Sequence, residues 1–136
     1  MAVLLSDAWR MTALYVALNA FVMLVLGMLV ARARVVTGTP IGDGGHAQMV
    51  RAIRAHGNST ENVPLPLLML VAVAALGGSF WLVHAVGAPL TAGRVLHGIG
   101  VTRSADATVL RFLGTSLSWI AFISGIAALL RLVFGA

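Results

Sequence analysis

No cysteine occurs anywhere in the chain. Disulfides, thiolate-bound metals and a protein thiol nucleophile are therefore excluded, and any thiol chemistry must use sulfur that a substrate brings. Lysine is missing too, so all nine basic residues are arginine. Charge of either sign is scarce, at 10% of residues against about 25% in a soluble domain. Of the four acids, Asp7, Asp43 and Asp106 fall at the terminus or in connectors, so no Ser–His–Asp arrangement can be built. None of the four histidines stands at metal-ligand spacing from another histidine or an acid, which argues against a metal centre. The formal net charge of +5 does not point to nucleic acid, because the arginines lie at helix ends and in connectors rather than in one patch.

What the chain has is apolar length. Of its 136 residues 60% are hydrophobic, and the mean hydropathy is +0.99. Blocks of about 20 apolar residues, each about 30 Å long as helix, can span a bilayer. The sequence reads as one integral membrane domain, all-α, with four spans over roughly 9–31, 46–76, 80–101 and 108–134. Trp9 and Tyr15 suit an interfacial end of the first span. A cleaved signal peptide fits poorly there, since no basic region precedes the run and ARAR follows it. TGTPIGDGG (37–45) is a loop by its Gly, Pro and Asp content, and lacks the context of a phosphate-cradling turn. Gly77-Gly78-Ser79 is an uncharged tight turn, and TRSADA (102–107) is the third connector. Gly114, Ser118 and Gly125 are small enough to let helices approach closely.

The second span is the unusual one. In RAIRAHGNSTENVPLP, residues Arg51, Arg54, Asn58 and Glu61 recur at helical spacing and share one stripe. The stripe then continues into Leu65, Leu68 and Ala72. Pro64 and Pro66 sit at the change and predict a kink. That kink either opens room for a ligand beside Asn58 and Glu61 or only fits the packing.

Arginine in the first and third connectors, and none in the second, puts those two connectors in the cytoplasm and both termini on the other side. Arg51, Arg54, Asn58, Glu61, Arg94, His97 and Arg111 then gather at one level of a four-helix bundle. Four arginines there face one acid, Glu61. Either the surplus takes an anionic ligand, or the groups satisfy one another between helices. Guanidinium pairs with carboxylate at two points, and Asn58 offers a donor and an acceptor to an amide. A guanidinium beside a bound thiol favours its thiolate.

RAHGNSTENVPLPLLML, with Arg51 three residues before it, resembles the signature of the MAPEG family, the membrane-associated proteins in eicosanoid and glutathione metabolism. The signature Arg-x-x-x-Asn-x-x-Glu-x-x-Pro reads here Arg54, Asn58, Glu61 and Pro64. GRVLHGIG, with Arg94 and His97, is similar to that family's third-helix motif. The resemblance implies a homotrimer that binds glutathione between subunits, open to the cytoplasm, with a small hydrophobic co-substrate entering from membrane lipid. It implies Arg51, Arg54, Asn58, Glu61 and Arg94 as glutathione contacts, with Glu61 near the ligand's amino group. Arg34, or Arg32, would reach in from the adjacent subunit. Arg111 resembles the arginine that stabilises the thiolate. Two family tyrosines are replaced, by Asn62 next to Glu61 and by Val101 one turn beyond His97, so a phenol donor to the thiolate is lacking. The composition reads as bacterial, which places the protein in an inner membrane. The expected activity is glutathione transfer or peroxidase chemistry. The rival expectations are a non-enzymatic trimer that binds a lipid or another anion, and a small anion-transport component, for which no internal repeat is evident.

Overall fold

The computed structural model describes residues 6–135. It contains α1 (Asp7–Thr37), α2 (Ala47–Asn62), α3 (Pro64–Ala75), α4 (Phe80–Arg103) and α5 (Val109–Phe134). Each boundary has a local cause. Ser6 caps α1 by accepting the Trp9 N–H, and Gly38 closes it at a φ of 63°, a left-handed conformation that costs glycine nothing. Ser79 and Thr108 cap α4 and α5 in the same way, accepting from Leu82 and Arg111.

α1 runs to Thr37, about six residues beyond the expected end of the first span. Nothing in ARARVVT breaks a helix, so Arg32 and Arg34 ride on its last turns. The expected second span is two helices with only Val63 between them. Proline has no N–H, so Pro64 and Pro66 leave the carbonyls of Thr60 and Asn62 without their usual helical donors. α3 restarts with Pro64 in its first turn, the one place where a missing N–H is harmless. α2 and α3 have 16 and 12 residues, so only end to end do they reach the length of a span. α1 and α5 are each long and apolar enough to cross a membrane.

Tyr15, read from the sequence as suiting an interfacial end of the first span, is buried against the other helices, with its hydroxyl hydrogen-bonded to His84 Nδ1 at 2.5 Å. It packs with Leu70, Val73, Val83 and Val86 in the larger apolar core. The neighbouring Asn19 Nδ2 donates to Thr91 Oγ1 at 2.8 Å. Smaller clusters, Leu26–Ala55–Val101 and Ala33–Met49–Ala52, fill the other end of the bundle. Tyr15 turns inward because its polar tip finds a partner there.

α4 and α5 make the closest approach. A Cβ added to Gly93 would lie 2.8 Å from the Gly114 carbonyl, and one added to Gly114 would lie 2.5 Å from the His97 backbone nitrogen. Backbone cannot yield as a flexible side chain can, so this contact requires hydrogen at both positions. Gly114→Ala is therefore expected to lower thermal stability in detergent by the ~1–3 kcal/mol typical of overpacking. Gly57, on α2, has open space where its Cβ would be. Gly57→Ala is expected to be neutral or to stabilise by up to ~1 kcal/mol.

Candidate functional site

Where α2 faces the C-terminal half of α4 and the start of α5, a cavity of about 170 Å³ is lined by Arg51, Arg54, Asn58, His97, Val101 and Arg111, with Ser104 and Ala105 at its rim. The helical spacing of the α2 stripe delivers the first three to one wall. α4 contributes His97 and Val101, one turn apart. Arg111 comes from the first turn of α5, and its Nη1 donates to the carbonyls of Ala105 and Asp106, each at 2.8 Å. The third connector therefore orients this guanidinium.

Arg94 lies behind the wall. It is 2% exposed, and Nη1 donates to Asn58 Oδ1 at 2.7 Å. Nη2 donates to Ser118 Oγ and, at 3.4 Å, to the Gly114 carbonyl. Ser118 in turn donates to the Gly114 carbonyl at 2.8 Å. Guanidinium has no acceptor, so the Asn58 amide must turn its oxygen to Arg94, which leaves Nδ2 as the group for a ligand. The small residues of α5 supply the room: a leucine at 114 or 118 would occupy the space the guanidinium needs.

Three nitrogens here are buried without a partner: Arg51 Nε, Arg94 Nε and His97 Nδ1. Buried polar groups are normally satisfied. Two of these, Arg51 Nε and His97 Nδ1, belong to residues that line the cavity.

The sequence-predicted residues divide accordingly. Arg51, Arg54, Asn58 and Arg111 come together. Arg94 touches them through Asn58 and does not line the cavity. Glu61 is exposed and is not part of the wall; among the described residues the one ion pair is Arg10–Asp7, at 3.6 Å. Arg34 folds onto its own connector, donating to the carbonyls of Thr39 and Gly42 at 3.1 and 3.3 Å. His97 was expected at this level without a role, and Ser118 only as a small packing residue. The spacing of His97 from Arg94 and of Ser118 from Gly114 carried the signal for each. At the two positions of the missing tyrosines, Val101 offers the cavity no donor, and Asn62 Nδ2 donates to the Asn58 carbonyl at 2.9 Å.

Fold and site together define a helical membrane protein whose polar interior is a cavity rich in guanidinium groups and without a carboxylate in its wall. The chain belongs to the MAPEG family, whose sequence model matches residues 12–131. Among its relatives is the inner membrane protein YecN of Escherichia coli strain K12, 35% identical over 89 residues, which are 65% of this chain and 68% of that protein. YecN of Escherichia coli O6:H1 matches to the same extent. No solved structure matches.

The Arg94 network makes a testable claim about coupling. Arg94→Met removes a charged donor from two buried acceptors and is expected to cost ~2–4 kcal/mol, while Ser118→Ala costs ~1–2 kcal/mol. Because the two share one bond, the double variant should fall short of their sum by at least ~0.5 kcal/mol. Reversible unfolding in mixed micelles reads the cycle, and strict additivity would dissociate the pair.

Proposed function

We propose that this protein binds glutathione, or a closely related anionic thiol, in the cavity between α2, α4 and α5. The observation that carries the reading is the wall of Arg51, Arg54 and Arg111 with no acid among them. Three like charges converging on one recess call for an anion, although Arg54 is exposed and Arg51 and Arg111 are only half-buried, and glutathione has two carboxylates, peptide groups and a thiol to offer. Family membership supports the same choice. Arg51 and Arg54 take carboxylate in two-point geometry, and Asn58 Nδ2 donates to a peptide carbonyl. Glu61, exposed one turn beyond Asn58 and outside the wall, receives the ammonium of a ligand that extends past the cavity. Arg94 acts as a positioning residue that fixes Asn58. In a homotrimer, Arg34 of a neighbouring subunit completes the site by exchanging the Thr39 and Gly42 carbonyls for the ligand, or Arg32 does so.

Arg111 lowers the thiol pKa by placing a fixed cation beside it. The thiolate sulfur then attacks an electrophilic carbon of a hydrophobic co-substrate. The carbon–sulfur bond forms as the leaving group departs, or as the electron pair of an activated double bond moves onto the acceptor and is protonated. With a lipid hydroperoxide the sulfur attacks oxygen, the O–O bond breaks, and the alcohol leaves. A second glutathione reduces the resulting sulfenic acid to disulfide and water. Catalysis rests on positioning and on electrostatic stabilisation of the thiolate.

The second reading is a binding protein without turnover, and the side chains at 62 and 101 favour it. Asn62 is engaged with backbone and Val101 is apolar, so guanidinium alone must hold the thiolate. Glutathione titrated into the detergent-purified protein, with thiolate absorbance followed against pH, separates the readings. The bound thiol is expected to ionise about one pH unit or more below free glutathione. The signal then persists as pH falls through the free thiol's range and is lost below it. Arg111→Ala should abolish this difference while binding survives, and Arg54→Ala should weaken binding about tenfold or more. Binding without thiolate selects the second reading; no binding at millimolar glutathione ends the first.

The same reading places the chain in a bacterial inner membrane, as for YecN, with four spans, the α1–α2 and α4–α5 connectors in the cytoplasm and both termini outside. The absence of cysteine makes this direct to test. A single cysteine at Ile41 should resist a membrane-impermeant maleimide in intact cells and react after lysis, while one at Gly77 should react in both.

A further inference from the structure

A second concave surface lies on the opposite side of Arg94 from the cationic cavity. Between α1 and α4 a trough of about 240 Å³ is walled by Phe21, Val25 and Leu29 on one side and Val95, Gly98 and Ile99 on the other. Its surface is apolar apart from Arg94 at the deep end and Thr102 at the other. Gly98 gives it depth, since a Cβ there would meet Leu26 at 3.3 Å. Leu29 and Thr102 also line a second, adjoining recess of about 210 Å³, whose walls include Arg32 and Gln48. The Thr102 hydroxyl is already committed to the Gly98 and Ile99 carbonyls. Arg32 and Gln48 are exposed, and Arg32 has no ion-pair partner among the described residues.

Taken as one channel, the two adjoining recesses are apolar along their length, with Arg94 at the deep end and Arg32 at the other mouth. Its dimensions decide the occupant. From Phe21 to Arg32 the α1 helix rises about 17 Å, and one leaflet of a bilayer's hydrocarbon core is about 15 Å deep. A chain lying with its end near Arg94 therefore brings an attached head group to Arg32 at the interface. We propose that this channel is a binding site for an anionic phospholipid of the surrounding membrane, one acyl chain in the α1–α4 trough and the phosphate at Arg32 and Gln48. The site is distinct from the thiol cavity of its own subunit and does not depend on the glutathione reading; it assigns Arg32 to the lipid, which leaves Arg34 as the arginine a neighbouring subunit lends to the thiol cavity. Arg94 lies between them, lining the trough and reaching the thiol cavity only through its bond to Asn58.

Native mass spectrometry of the delipidated protein, with phosphatidylglycerol, phosphatidylcholine or laurate added separately, tests the proposal. Phosphatidylglycerol should be retained at about fivefold lower concentration than phosphatidylcholine, the ratio equivalent to ~1 kcal/mol for one basic residue at an anionic surface. Arg32→Gln should erase the preference, and Arg103→Gln, at the same end of the bundle but outside the channel, should keep it. Gly98→Leu, which fills the trough, should lose retention of both phospholipids. Equal retention of the two lipids by the wild type, or an equal effect of Arg103→Gln, would reduce the site to general surface charge and overturn the proposal. Retention of laurate without phosphatidylglycerol would assign the channel to a free carboxylate instead. A change of oligomer size in Gly98→Leu, with lipid retention intact, would show that a second copy of the chain occupies it.

Discussion

A guanidinium buried between membrane helices is tolerated only where its donors are met, and meeting them dictates the surroundings. Arg94 imposes three conditions at once. α5 must come close enough for the Gly114 carbonyl and Ser118 hydroxyl to be reached, which requires glycine at 93 and 114. α2 must present Asn58 oxygen-first. The α4–α5 contact must therefore be rigid, and it is this rigidity that sets Arg111 and its connector at a fixed distance from the α2 stripe. Removing a charge from water costs several kcal/mol, and the mutual bonds offset that cost without making the arrangement a source of stability. Its consequence is geometric: three helices are registered against one another at a single level.

Much of this was legible before any coordinates. The stripe Arg51–Arg54–Asn58 could be placed on one face from spacing alone, because a helix of period 3.6 leaves no other option. The small residues of α5 announced a close contact, and Pro64 and Pro66 announced the break. Other features escaped for definable reasons. Counting charges by level could not reveal that Arg94 is spent internally, because pairing depends on which side of α4 meets Ser118. Glu61 belongs to the stripe by spacing, yet it falls so near the Val63 break that the cavity ends before reaching it. Arg34 was expected to reach outward, but the glycine-rich connector beside it supplies carbonyls at closer range. Tyr15 was placed by its nearness to a terminus, whereas a partner 69 positions away, His84, determines where it points.

The bundle is divided into chemically distinct compartments along its length. Toward the α3–α4 turn, the Tyr15–His84 and Asn19–Thr91 pairs tie α1 to α4 within an apolar core. Toward the opposite end, the polar groups that line the cavity are mostly donors: guanidinium groups, the Nδ2 of Asn58 and one ring nitrogen of His97. A wall of donors has little means of telling one acceptor from another except by the distances between them. Selectivity in such a cavity is therefore a matter of spacing, which is why a rigid α4–α5 contact behind it matters.

Glu61 stands in the last turn of α2, where the helix already carries partial negative charge on its terminal carbonyls, and the prolines that follow withhold donors from the carbonyls of Thr60 and Asn62. An anion at that end works against the macrodipole, at a cost of about 0.3–1 kcal/mol. Arg51 and Arg54 lie nearer the positive end and do nothing to relieve it. The helix thus holds its own charges in an unfavourable order, as an electrostatic spring under slight compression. A zwitterion laid along it in the opposite sense, anionic groups toward Arg51 and cationic group toward Glu61, would release that tension, so α2 has a built-in direction in which a dipolar guest lies down.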